Sequence, residues 1–210
     1  MTKKDVIDAY FSLMKEDMAK YGFKQRKSDL EFVRKTDFGF LRVVLQVTHY
    51  SQLQESLIHF LLQVRRDDVQ ELVNKALGIF PKGHATSTTT NTHFQVIMGR
   101  DDFRYTVRNE TDLADSVRHF MDFFGTHGIS HLEKYSALEN LAGIYEEHGP
   151  KANAYFGPFG WYKYVVIVRY LHDSDSFEDF IAHFYDQLPS YGLSDDSIGE
   201  LKDFVNEELR

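Results

Sequence analysis

The sequence predicts an α+β fold, a mainly antiparallel sheet of about six strands with about six helices packed on it. Apolar residues recur at three- and four-residue spacing in some stretches and alternate in others, the periods of helix and strand respectively. Two pairs of alternating runs flank tetrads rich in turn formers, as antiparallel hairpins do. Hydrophobic residues make up 42% of the 210-residue chain, charged ones 27% and aromatic ones 15%, which suits a folded core and argues against disorder. A single domain over residues 1–210 is expected, with 150–210 as a candidate C-terminal extension.

Val6, Ile7, Tyr10, Phe11, Leu13, Met14 and Met18 lay one apolar stripe along a first helix over 4–20, which Gly22 ends. Residues 30–35 and 40–48 are β-prone and flank Thr36-Asp37-Phe38-Gly39, a hairpin loop. A third strand is expected over 56–65, with Ile58, Phe60, Leu62 and Val64 on one side and Leu57, His59, Leu61 and Gln63 on the other. Asp67 or Asp68 caps a short helix that Gly78 and Pro81 close. The Thr-rich stretch 82–92 has no apolar period and reads as a surface loop or exposed edge strand. Residues 93–98 and 103–108 alternate around Gly99-Arg100-Asp101-Asp102 and read as a second hairpin. Helices are expected from Thr111 or Asp112 to about Thr126, then over 135–147, 176–187 and 194–209. The most hydrophobic run, 161–171, centres on Tyr164-Val165-Val166-Ile167-Val168 and is expected to be the central strand.

An offset of 64 superposes Asp115, His119, Phe120, Asp122, Gly128 and Ser130 on Asp179, His183, Phe184, Asp186, Gly192 and Ser194. Each set follows a run ending in Val-Arg, and Tyr21-Gly22-Phe23, His127-Gly128-Ile129 and Tyr191-Gly192-Leu193 share a ring-Gly-apolar pattern. A shared helix stop with left-handed glycine explains the pattern more simply than a duplication.

The net charge of -8 is uneven. Residues 171–210 hold eleven acids against Lys202 and Arg210. Such a surface disfavours nucleic acid and steers basic partners toward it. The basic run Lys20, Lys24, Arg26, Lys27, Arg34, Lys35 and Arg42 is diluted by Asp29, Glu31 and Asp37 and reads as a hairpin edge that charge protects from strand pairing. Zero cysteines exclude disulfides, thiolate metal sites and cysteine nucleophiles. Without an apolar run long enough for a membrane span or a leader-like start, a cytoplasmic protein free of membrane contact is expected.

Chemistry-bearing motifs are sparse. His-Glu-x-x-His, a phosphate loop, Gly-x-Ser-x-Gly and Gly-x-Gly-x-x-Gly are all missing. His127 and His131, with Glu133 nearby, would share a helical face, but Gly128 and Ser130 are expected to break that helix, so no metal site is assigned. His119 with Asp122 and His183 with Asp186 have the spacing of acid–base pairs and equally of ordinary helix-surface pairs. No catalytic residue and no cofactor is assigned. The segment 155–164 places six aromatics in ten residues. Rings supply large apolar contact area with few rotors to freeze, so this segment is a candidate interface, pocket wall or core cover.

The order of a helix, Tyr21-Gly22-Phe23-Lys24, Phe32-Val33-Arg34 and Val43-Val44-Leu45-Gln46 resembles an uncharacterised bacterial domain family, the DUF 4304-like proteins, over roughly residues 5–145. That resemblance implies an α+β fold and transfers no catalytic residue. Small acidic α+β chains of this kind also resemble immunity proteins, which neutralise a bacterial toxin by binding it.

The expected function is therefore that of a non-enzymatic bacterial module that holds a protein partner. The candidate contacts are Tyr155, Phe156, Phe159, Trp161 and Tyr162 for affinity and Asp195 and Asp196 for encounter. Two alternatives stand beside it. One is a small-molecule pocket or enzyme lined by the same rings with His119, His183 or Arg169; the other is a structural homodimer.

Overall fold

A computed structural model describes residues 1–79, 83, 86–100, 102–157 and 160–210. The chain forms an α+β fold, and its contacts group into two compact units: 1–65 with 90–136, and 66–89 with 137–210.

In the first unit, helix α1 (Lys3–Lys20) starts at Thr2, whose hydroxyl accepts from the Asp5 amide while the Asp5 carboxylate accepts from the Thr2 amide. This reciprocal cap satisfies two amides that the first turn would otherwise leave open. The helix ends at Tyr21, followed by Gly22 at φ +82°, the expected stop. The Arg34 guanidinium donates to the Tyr21 carbonyl at 3.2 Å, placing a cation at the negative helix end.

The sheet comprises β1 (Lys24–Arg26), β2 (Glu31–Lys35), β3 (Gly39–Tyr50), β4 (Glu55–Arg66), β5 (Thr90–His93) and β6 (Tyr105–Val107). Its order is β1-β2-β3-β4-β5, with β6 also on β4. The 36–39 turn closes β2 and β3 through a bond from the Thr36 amide to the Gly39 carbonyl. β5 pairs antiparallel with residues 61–64 of β4 and β6 with residues 56–58. The expected second hairpin therefore does not form: of the 93–98 run only His93 pairs, and it and residues 105–107 both pair with β4. After His93 the chain turns into a short helix, α3 (Phe94–Ile97), which puts Phe94 among Phe60, Tyr105 and Phe120. The end of the Thr-rich stretch is the strand alternative of that expectation, at the end of the strand order but not exposed. Thr89, Thr90 and Thr92 are buried, and the Val64 amide donates to the Thr90 hydroxyl. Residues 82, 84 and 85 of that stretch lie outside the described residues.

Helix α4 (Glu110–Phe123) begins at Asn109, whose side chain accepts from the Asp112 amide, two residues before Thr111 and three before Asp112, the caps expected. It packs Phe120 flat on Phe60 of β4, while α1 lays Tyr10 on Phe60 and Phe11 on Phe32. Alternation in β4 thus directs Ile58, Phe60, Leu62 and Val64 into the helix-covered core.

The described part of the second unit is helical: α2 (Asp67–Ala76), α6 (Leu138–His148), α7 (Asn153–Phe156), α8 (Trp161–His172), α9 (Phe177–Gln187) and α10 (Asp195–Glu208), with α5 (Ile129–Lys134) belonging to the first unit. Here the sequence expectation fails most clearly, because 161–172 is a helix and not the central strand. Val165, Val166, Ile167 and Val168 are all buried, so this helix is apolar around its circumference and packs against α2, α6 and α9. Burial on every side outweighs the strand preference of a β-branched run. Ser194 caps α10 by accepting from the Ser197 amide, and Gly192 at φ +80° ends the preceding 3-10 turn.

Candidate functional site

The first unit holds a surface crevice of about 510 Å³ lined by Ile97, Met98, His119, Asp122, Phe123, Thr126 and His127. Its position follows from an irregularity in the helix. After α4 the chain widens into a π-helical turn, Phe124–Gly128, and continues into α5. Gly128 sits at φ -65°, so the helix stop expected there does not occur. The glycine is needed for closeness instead: a Cβ would stand 2.7 Å from the Phe124 ring and 3.3 Å from Leu62. Side chains relieve the carbonyls that the wider turn disturbs. The Thr126 hydroxyl donates to the carbonyl of Asp122 at 2.8 Å and the Ser130 hydroxyl to that of His127 at 2.9 Å. Such turns inside helices recur at functional sites.

Beneath the crevice wall the buried Tyr105 hydroxyl lies 2.6 Å from Nδ1 of His119, which lines the crevice. Burial pushes the Tyr105 hydroxyl up from its ordinary range, which keeps it a donor. The expected His119–Asp122 pair is not the one formed. Phe103 lies against His119, with the Arg100 guanidinium 4.5 Å above the Phe103 ring. Tyr105 was not singled out by the sequence; only its place on an alternating strand gave any signal.

His127 and His131 now share one continuous helix, but no group of three His, Cys, Asp or Glu among the described residues is arranged to hold a metal. Burial brings His131 down to about 4, with its ring against Tyr135. The repeat does not extend beyond its helices: Val107-Arg108 closes a strand whereas Val168-Arg169 lies inside α8. His183 contacts Gln187, four residues on, and not Asp186.

On the sheet face turned away from α1 and α4, a polar chain crosses five strands. Arg26 and Arg42 flank the buried Glu31 at 3.0 and 3.1 Å, Arg42 donates to Gln63 at 2.6 Å, and Gln63 donates to Asn91 at 2.7 Å. Burial lowers the Arg42 guanidinium, which Glu31 offsets. Most of the basic run is absorbed in such pairs, including Lys20 with Asp17, Lys27 with Asp8 and Arg34 with Glu133.

The aromatic segment sits in the second unit. Phe156 is buried and stacks on Tyr164; Trp161 is buried against Tyr145, Phe184 and Tyr191. Tyr155 is half-buried and stacks on His148, and Tyr162 is half-buried beside Trp161. Phe159 lies outside the described residues. Asp195 and Asp196 are exposed in the first turn of α10, where the helix dipole favours them. The structure thus separates the expected contacts into rings set mostly in the core and acids at the surface. Arg169 is engaged with Glu146 and Asp173.

No protein-family model, curated protein or solved structure matches this chain.

Proposed function

We propose that this chain is a non-enzymatic, immunity-like binding module that holds a basic protein partner on the acidic surface of its second unit. The observation that carries the reading is where the charge resides. The first unit contains 16 basic and 15 acidic residues, the second 8 and 17, so the whole excess of acid belongs to the second. Some of these acids are paired: Glu178 with Arg210, Glu208 with Lys75, Asp173 with Arg169. Asp179, Asp186, Asp195, Asp196, Asp203 and Glu207 are exposed on α9 and α10. Acids of this kind raise the encounter rate with a basic partner and disfavour acidic ones. Half-buried Tyr155 and Tyr162 are the rings available for contact, while Phe156 and Trp161 stiffen the helices beneath.

Charge reversal at Asp195→Lys and Asp196→Lys tests the reading. Both positions are exposed, so the reversal costs only their favourable placement at the start of α10, the fold is expected to be retained, and partner capture falls at least tenfold. Unchanged capture removes the proposal. A second reading, a small-molecule site, rests on His119 in the crevice with Tyr105 behind it; a metabolite retained by the wild type and lost in His119→Ala would favour it.

A further inference from the structure

We infer that the outer edge of β3, Gln46–Tyr50, is a self-association surface that joins two copies of this chain through antiparallel strand pairing. β2 covers β3 only at residues 40–44, and the last backbone bond on that side runs from the Leu45 amide to the Leu30 carbonyl at 2.8 Å. Leu30 then leaves the sheet in a left-handed conformation, φ 55°, and the following ion pair of Lys27 with Asp8 draws the preceding turn toward α1. Beyond Leu45 the outer side of β3 has no strand beside it among the described residues. Because backbone groups alternate in direction along a strand, the outward amide of Leu45 places those of Val47 and His49 outward too.

The segment lacks the devices that protect sheet edges. Proline, lysine and other formal charges are absent from residues 43–54, whereas the edge strand on the same side of the sheet, β1, carries Lys24 and Arg26. An edge without charge, proline or a bulge is a template for another strand. The occupant that fits is a second copy. Two β1 edges would bring cations together, whereas Gln46–Tyr50 carries no formal charge to oppose its own copy. A two-fold axis at Thr48 sets Thr48 opposite itself, Val47 opposite His49 and Gln46 opposite Tyr50, so the outward groups of Val47 and His49 each meet a complementary pair. Gln46 and Thr48 are exposed, and Tyr50 and Leu53 are 43% and 65% exposed, giving the strand pair apolar flanks to cover. This surface lies in the first unit and does not depend on the acidic surface proposed above.

Thr48→Lys and Thr48→Glu test the inference, because each places like charges directly opposite across the axis while leaving an exposed position exposed. Sedimentation over a hundredfold concentration range is expected to show a monomer–dimer equilibrium for the wild type and at least tenfold weaker association for each variant. An equal mixture of the two variants is expected to dimerise again, as a heterodimer. Amide exchange in the wild type should show protection of Val47 and His49 that rises with concentration. A wild type that stays monomeric, variants that associate as the wild type does, or folded variants whose mixture fails to dimerise would each overturn it.

Discussion

Glycine at three positions shows how one residue type answers different physical demands. Gly22 and Gly192 adopt φ +82° and +80°, where a side chain meets the backbone's own steric limit. Gly128 keeps a helical backbone and is instead confined by Phe124 and Leu62. Gly128→Ala is therefore expected to destabilise by about 1–3 kcal/mol through overpacking, read by denaturant unfolding, and to perturb the neighbouring π-helical turn. An alanine variant as stable as the wild type would show that this close contact is dispensable. The ring-Gly-apolar pattern was legible at all three places. Its meaning was not, because a three-residue pattern records the glycine and not which neighbour comes near it.

At the scale of elements, β4 and α8 mark the two ends of legibility. The run from Ile58 to Val64, with Leu57 and Leu61 on its second side, identified a strand buried on both faces, and the structure buries every residue from Phe60 to Arg65. Residues 165–168 carry an equally apolar run, yet a continuous run has no period, so strand and buried helix look alike in sequence. Lys163 offers the clue that helical geometry makes intelligible. It is buried, its ammonium donates to the Ala76 carbonyl at the end of α2 at 2.8 Å, and Glu200 of α10 lies 3.7 Å away. Lys163→Met keeps the stem and removes the donor, so it is expected to cost about 1–3 kcal/mol and to fray the end of α2. Hydrogen exchange at residues 73–77 checks this, and unchanged protection there would contradict it. The candidate site was half legible for a similar reason: His119 stood out by its spacing, whereas Tyr105 reaches it only through the pairing of β6 with β4.

For the molecule as a whole, half-buried histidines whose protonation burial opposes set the acid limit. Burial lowers His131 to about 4, and it also lowers His59 and His93, the former with Arg104 and His93 adding to the effect. An unfolded chain takes up these protons near pH 6.5, which the folded chain resists. Stability is accordingly expected to fall as pH drops from about 6.5 toward 4, with His131 alone accounting for roughly 3 kcal/mol at the lower end. His131→Gln should flatten that slope in thermal melts, and an unchanged slope would exclude His131 as its source. Charge imbalance, by contrast, was readable at once, since composition needs no geometry. Its concentration on α9 and α10 is what makes partner binding the central claim.

Affinity capture from native lysate, eluted with rising salt and analysed for both proteins and small molecules, tests that claim most directly. The account predicts one stoichiometric basic protein that wild type retains at low salt and releases at high salt, and that the Asp195→Lys, Asp196→Lys variant fails to hold. A retained metabolite with no protein, or capture that neither salt nor charge reversal weakens, would contradict it.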